Sequence, residues 1–374
     1  MPVSDDLNED QSAAFLLGDE ETRRQMIAEL EALVGRLRAQ APGYEPPASS
    51  HQHLKVLVDG MAEKLPPELR VASQERLRTT LSENVLDPEV WKGIWYLANH
   101  IVQYNSDMVK RHATGEFDTD EWGLDWEYVD AIRPLLIFFY RVYWRVETTG
   151  LENIPVEGRA LLVVNHAGQL PWDGFMVGTA VLTAHPAQRL VRSLYASLLA
   201  TMPFVSTLLV RLGQALATVE NGTRLLEQDE LVAVFPEGYK GLGKRYSDRY
   251  KLARFGRGGF IRMALSTGAP IVPVSVVGSE ETYITLARLP TLAKVTGVPY
   301  LPVTLTFPWL GLLGFVPLPT KWYIDFGEPI PMDPYGPDAA DDLVLVSQLT
   351  DQVRNTIQQM IHSRLASRRS IFFG

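Results

Sequence analysis

Ala160-Leu161-Leu162-Val163-Val164-Asn165-His166 is the stretch that decides how this chain folds. Its apolar run, Ala160–Val164, reads as a strand that ends at His166. Two more apolar runs follow: Leu231–Phe235, leading into Pro236-Glu237-Gly238, and Ile271-Val272-Pro273-Val274. Strands are predicted at 160–165, 231–235, 271–277 and 322–326, with helical patterns between them. That alternation, beginning near residue 147, marks an α/β domain. Pro273 inside a strand predicts an edge or bulge position lining an acyl or acceptor channel. Leu194, Leu198, Leu199, Leu208 and Leu209 predict a long helix over 189–218.

His166 falls where the first strand gives way to its loop, at the end of a sheet where ligands collect in α/β proteins. A lone histidine there is more often structural. Asp173 changes the reading, because a carboxylate on one ring nitrogen fixes the tautomer and leaves the other as a base. On a continuous helix a seven-residue step rises about 10 Å, too far for contact. Gly168 and Pro171 argue instead for a loop that folds back, with Asp173 opening the next helix. Phe255-Gly256-Arg257-Gly258-Gly259 precedes a helical run from Phe260, and free amides beside an arginine suit an anion.

The ordered set of His166 with Asp173, then Phe235-Pro236-Glu237-Gly238, then Val272-Pro273-Val274 resembles the glycerolipid acyltransferase family, best known for acylating lysophosphatidic acid. The resemblance spans Thr149–Pro331. It implies an α/β fold with a mixed sheet flanked by helices, like that of glycerol-3-phosphate acyltransferase, beside a helical N-terminal region. It implies transfer of a fatty acyl group from a thioester to a lipid hydroxyl, 1-acylglycerol-3-phosphate or a related glycerolipid, in phospholipid synthesis. His166 is then the general base and Asp173 its orienting partner, with amides near Gly168 at the oxyanion. Asn165, Phe235, Pro236, Glu237, Gly238, Tyr239, Lys240, Arg249 and Arg257 are the candidate substrate-binding residues. The partners expected are a lipid acceptor, an acyl thioester of coenzyme A or acyl carrier protein as co-substrate, and an anionic membrane surface. No resident cofactor, metal or nucleic acid is expected. The chain departs from the family pattern in three places. Six residues rather than four separate His166 from Asp173, Tyr239 replaces the usual serine or threonine, and Arg211 with Gly213 match the second block poorly. A neutral acceptor, such as a mono- or diacylglycerol, is therefore an alternative. A catalytically inactive lipid-binding protein is another.

Composition agrees with a folded enzyme: 374 residues, 46% apolar and 21% charged. With no cysteine, thiol nucleophiles, disulfides and cysteine metal sites are excluded. The formal charge of −9 excludes a general nucleic-acid binder. The charge is uneven. Residues 1–50 hold ten acids and four bases, whereas Lys240–Arg262 holds eight bases and only Asp248 as an acid. That basic stretch is either a solvated face or a site for phosphate or anionic lipid. The acidic start, Met1–Asp10, does not read as a signal peptide. Val295–Thr320 is free of charge but carries five prolines, which excludes a spanning helix and leaves an apolar loop packed on the core or dipping into an interface. The organisation expected is a helical region over 1–130, then an apolar, aromatic helix at 131–146 in which Pro134 takes the first turn. That helix is either buried or interfacial. The acyltransferase domain follows over 147–335, with a C-terminal amphipathic helix in 336–374. Its terminal Arg364, Arg368 and Arg369 complement the helix dipole. The protein is expected to be peripheral or monotopic at the cytoplasmic face of a membrane.

Overall fold

A computed structural model of the chain describes residues 119–168, 170–202, 205–242, 244–288, 302–304 and 316–372. The expected helical region 1–130, save its final residues, and most of Val295–Thr320 lie outside them. Asp130–Arg145 belongs to one compact unit, and Asp118–Val129 with Val146–Gly374 to another.

Among the described residues, the second unit has nine strands: β1 (Glu147–Thr149), β2 (Ala160–Val164), β3 (Val191–Tyr195), β4 (Ala215–Leu216), β5 (Leu231–Val234), β6 (Ile271–Val277), β7 (Thr285–Arg288), β8 (Pro302–Thr304) and β9 (Tyr323–Phe326). Seven of them form one mixed sheet in the order β1-β9-β6-β2-β5-β3-β4. β2 pairs in parallel with β5 on one side and β6 on the other, so all five of its residues are buried. β9 runs antiparallel to β6. β7 and β8 form a separate antiparallel pair. The carboxyl ends of β2, β3, β5 and β6 therefore share one edge, and the loops that leave it build the site.

The helices are α1 (Trp126–Ile137), α2 (Trp172–Ala184), α3 (Ser197–Ala200), α4 (Val205–Arg211), α5 (Val219–Glu227), α6 (Gly259–Thr267) and α7 (Leu343–Ser367). In α7 the Asp342 side chain accepts from the amides of Val344 and Leu345, capping the helix. Val346, Leu349, Val353, Ile357 and Ile361, at helical spacing, are buried in the core. Each such side chain stabilises the fold by about 1.5–3 kcal/mol relative to exposure.

Two local expectations are corrected and a third is extended. The single helix over 189–218 is instead β3, the short α3 and α4, and β4. Val191–Ser193 pairs with β5, and the buried Arg192 is held by Asp120 and by Glu230 at 2.9 Å. Those distant acids make a strand tenable where local spacing favours a helix. Pro273 is not on an edge, because β6 is flanked by β2 and β9. The amide of Ile271 faces Ile330, so two residues on the Pro273 nitrogen faces the same side. There the chain has left the ladder at Gly327, and no donor is missed. Finally, Arg364 and Arg368 do more than face the helix dipole. Arg364 pairs with Asp325 and Arg368 with Glu281, tying α7 to the sheet and its loops.

In α1, the expected first-turn position of Pro134 is also corrected. The helix begins at Trp126, because Asp125 accepts from the Tyr128 amide ahead of it at 3.0 Å. Pro134 then lies in the helix interior, with no N–H for the carbonyl four residues back. A wider π-helical segment, Phe138–Tyr143, follows. Phe139 packs against Phe138, Tyr143 and Trp144 at ring separations of 5.0–5.5 Å. No helix among the described residues is long and apolar enough to cross a membrane.

Candidate active site

β2 stops at Val164, but the ladder continues through a side chain. Asn165 accepts from the Val276 amide at 2.7 Å and donates to the Val276 carbonyl at 3.1 Å. It is fully buried, so its amide group serves β6 rather than a ligand. The next residue, His166, emerges at the sheet edge with its ring 4.7 Å from that of Phe235.

The loop after His166 folds back as its glycine and proline suggest. Gly168 takes the left-handed region at φ 95°, and the Trp172 amide donates to the Leu170 carbonyl at 2.8 Å. Asp173, in the first turn of α2, then lies beside the histidine. His166 Nδ1 is 2.7 Å from Asp173 Oδ2. The same oxygen accepts from the Ala167 amide at 2.8 Å, and Oδ1 accepts from the Gly174 amide at 2.9 Å. A fully buried carboxylate that accepts from two amides accepts from Nδ1 as well. Nδ1 therefore carries the proton, and Nε2 presents its lone pair. Among the described residues Nε2 has no hydrogen-bond partner, and the side chain is 12% exposed.

Glu237 faces inward. One oxygen accepts from the His166 amide at 3.1 Å; the other accepts from the Ala253 amide at 2.6 Å and pairs with Lys244 at 2.9 Å. Lys244 Nζ also reaches Glu280 at 3.2 Å, and Glu280 accepts from the Tyr250 amide at 2.8 Å. Burial pushes the Glu280 carboxyl up to about 7, against the pull of Lys244. Gly241 closes the turn after Glu237. A Cβ there would stand 2.7 Å from the His166 carbonyl oxygen and 2.8 Å from the Cβ atoms of His166 and Glu237. Only a glycine lets the two segments meet so closely.

Of the residues expected at the site, His166, Asp173, Phe235 and Glu237 meet. Gly238 supplies a left-handed turn at φ 55°. The Pro236 carbonyl accepts from the Gly256 amide at 3.0 Å, which brings the Arg257 loop to this motif. Tyr239, Lys240 and Arg257 are exposed. Arg249 lies over the Tyr246 ring at 4.0 Å and 3.8 Å from Glu281. Arg245, Lys251, Arg254 and Arg262 are exposed too, so the basic stretch does present its cations.

Sequence reasoning missed three residues. Lys244 reads as one more surface cation, and Gly241 as an ordinary turn glycine. Ser279, just past β6, has a buried hydroxyl with no hydrogen-bond partner among the described residues. Its carbonyl would lie 3.2 Å from a Cβ on Gly168, so it packs against the His166 loop. No local pattern marks any of the three. Among the described residues, no three His, Asp or Glu side chains converge as a metal would need. A separate hollow of about 510 Å³, lined in part by Trp126, Arg189, Arg192 and Glu230, lies at the amino ends of β3 and β5, away from His166.

Residues 145–277 match the family model described as Acyltransferase, a span that begins just ahead of β1 and ends with β6. An uncharacterised protein of Mycobacterium leprae is 47% identical over 330 residues, covering 87% of this chain and 89% of its own. A Bos taurus protein named DGAT1/2-independent enzyme synthesizing storage lipids is 24% identical over 226 residues, covering 60% of this chain and 62% of its own. The solved 1-acyl-sn-glycerophosphate (LPA) acyltransferase PlsC of Thermotoga maritima is similar at a TM-score of 0.45 and 19% identity, covering 74% of this chain and 94% of that one. The chain belongs to the acyltransferase family, as the ordered motifs lead one to expect. It is an enzyme that transfers acyl groups.

Proposed function

We propose that this protein moves a fatty acyl group from an acyl thioester to the hydroxyl of a glycerolipid, with 1-acylglycerol-3-phosphate as acceptor and coenzyme A or acyl carrier protein as thiol carrier. One observation carries the reading. Asp173 holds His166 Nδ1 at 2.7 Å, which leaves Nε2 without a hydrogen-bond partner among the described residues, at the edge where β2, β5 and β6 end. Nε2 takes the acceptor's hydroxyl proton as the oxygen attacks the thioester carbonyl. Asp173 stabilises the imidazolium that forms. The tetrahedral intermediate collapses to the ester and expels the thiolate, which recovers the proton from Nε2. No nucleophile of the protein is needed.

The exposed Lys240, Arg254 and Arg257 beside the site support an acceptor with a phosphate. They also support a peripheral or monotopic place at the cytoplasmic face of an anionic membrane, each basic residue near the surface contributing about 1 kcal/mol. Leu170 and Tyr239, 39% and 62% exposed on loops leaving the same edge, add apolar surface there. A neutral acceptor is the second reading. It is favoured by Tyr239 in place of a small hydroxyl, and by the storage-lipid name of the bovine relative.

The test is incubation with acyl-CoA and a panel of phosphorylated and neutral lipid alcohols in vesicles, read by mass spectrometry. His166→Ala should lower turnover on the preferred acceptor by about 10²–10⁴-fold without loss of fold. Asp173→Asn should also cost heavily, by releasing the ring. A His166→Ala enzyme with near-normal turnover would overturn the mechanism.

A further inference from the structure

The basic stretch hides one lysine that behaves unlike its neighbours. The Lys244 side chain is 9% exposed, against Glu237 at 0% and Glu280 at 3%. Burying an ammonium is costly unless it is paired and hydrogen-bonded. Here it is paired twice, at 2.9 and 3.2 Å. The two carboxylates come from different loops: Glu237 follows β5 and Glu280 follows β6. Their remaining acceptor capacity goes to three backbone amides. Glu237 takes those of His166 and Ala253, and Glu280 that of Tyr250. One ammonium thus joins the loops that leave β2, β5 and β6, and the Tyr250–Ala253 segment.

The link to His166 runs through the main chain. Glu237 holds the His166 amide at 3.1 Å, and Gly241 lies against the same residue's carbonyl and Cβ. Asp173 fixes the ring about its own axis, but Glu237 sets where the Cα stands. Without Lys244 the two buried carboxyl groups would lose their shared partner, and Glu237 would no longer be held where it grips the amide. We infer that Lys244 is a positioning residue for acyl transfer: by holding the Glu237 side chain in place, it keeps the backbone of His166 where Nε2 meets the acceptor hydroxyl. The inference rests on the reading of His166 as the base.

The experiment compares Lys244→Gln, Lys244→Arg and Glu280→Gln with wild type and His166→Ala. Palmitoyl-CoA and 1-acylglycerol-3-phosphate serve as substrates, and kcat is normalised to the fraction folded by near-ultraviolet circular dichroism. Lys244→Gln should lower kcat about 10- to 100-fold while KM for either substrate moves by less than about twofold, the signature of a displaced base. Glu280→Gln, which leaves the Lys244–Glu237 pair in place, should stay within about threefold. Hydrogen exchange of the peptide spanning residues 162–170 should quicken in Lys244→Gln but not in Glu280→Gln, and this readout needs no turnover. Lys244→Arg keeps the cation and should stay within about threefold of wild type. If Lys244→Gln fails to fold, Lys244→Met, which also lacks the cation, replaces it: a kcat lower than that of Glu280→Gln at unchanged KM supports the inference, and wild-type kcat overturns it. A dead His166→Ala beside a Lys244→Gln of normal kcat and normal exchange removes Lys244 alone. An active His166→Ala removes the reading beneath it as well.

Discussion

Gly241→Ala adds one methyl group to the surface of the turn, yet it should disable the enzyme. The backbone of Gly241 is not in the left-handed region, so the substitution carries no conformational penalty of its own. The cost is contact. The new carbon would meet the His166 carbonyl oxygen at 2.7 Å and the Cβ atoms of His166 and Glu237 at 2.8 Å, where ordinary contact begins at 3.4 Å. The two segments must part by about 0.6–0.7 Å, and none of the three atoms can swing away as a side-chain tip could. Overpacking of this kind destabilises by about 1–3 kcal/mol. The same shift moves the His166 Cα, and a misplacement approaching 1 Å can cost on the order of 10²-fold in rate. Stability and activity should therefore part company. The melting temperature should fall by a few degrees, which for a domain of this size corresponds to roughly 1 kcal/mol. The kcat at a temperature where the variant is fully folded should fall about 10- to 100-fold. The assay pairs a thermal melt with initial rates well below the transition. A folded Gly241→Ala enzyme with wild-type kcat would show that the position of His166 does not depend on this contact.

Two further outcomes follow from the same geometry. Arg257→Ala should weaken use of a phosphorylated acceptor more than a neutral one, read as the ratio of kcat/KM on the two; equal losses would point away from the acceptor phosphate. Glu280, flanked by Lys244 and Glu237 and held by the Tyr250 amide, keeps its proton to about pH 7 when folded, against an ordinary 4.5. Between those values the folded state binds more protons than the unfolded one. The contribution of Glu280 is thus fully present below about 4.5 and is lost as pH rises through about 7. Glu280→Gln should flatten that decline in urea melts taken across the window, and parallel slopes for the two proteins would contradict it.

Much of the sheet could be read from the sequence because its inner strands are short, uncharged runs. β2, β5 and β6 are covered on both faces, so burial leaves an unbroken apolar signal. The His166–Asp173 pair was legible despite its unusual spacing, since Gly168 and Pro171 announce a fold-back. β3 was not. Its Arg192 is buried by Asp120 and Glu230, and no local pattern foretells a partner 72 residues away. Lys244 failed for the same reason. Among eight cations in one stretch it carries no mark of its own, and only the arrival of Glu237 and Glu280 from two strand ends takes it out of water. Glu237 itself reads naturally as a ligand for substrate, because a polar residue at a strand end invites that reading. What sequence cannot show is which way such a carboxylate faces.

The long helix α7 holds the basic loop by its backbone. Gln358 accepts from the Leu252 amide and donates to the Tyr250 carbonyl, and Arg354 donates to the carbonyls of Leu252 and Ala253. Gln358 lies 108 residues after Tyr250. At about 5–20 residues per second on the ribosome, the loop is made roughly 5–20 s before the side chains that hold it. A nascent chain can therefore expose the His166 loop and the strands beneath it while the Tyr250–Ala253 segment is still unclamped. The order of synthesis thus leaves that basic segment without its side-chain partners until α7 has emerged.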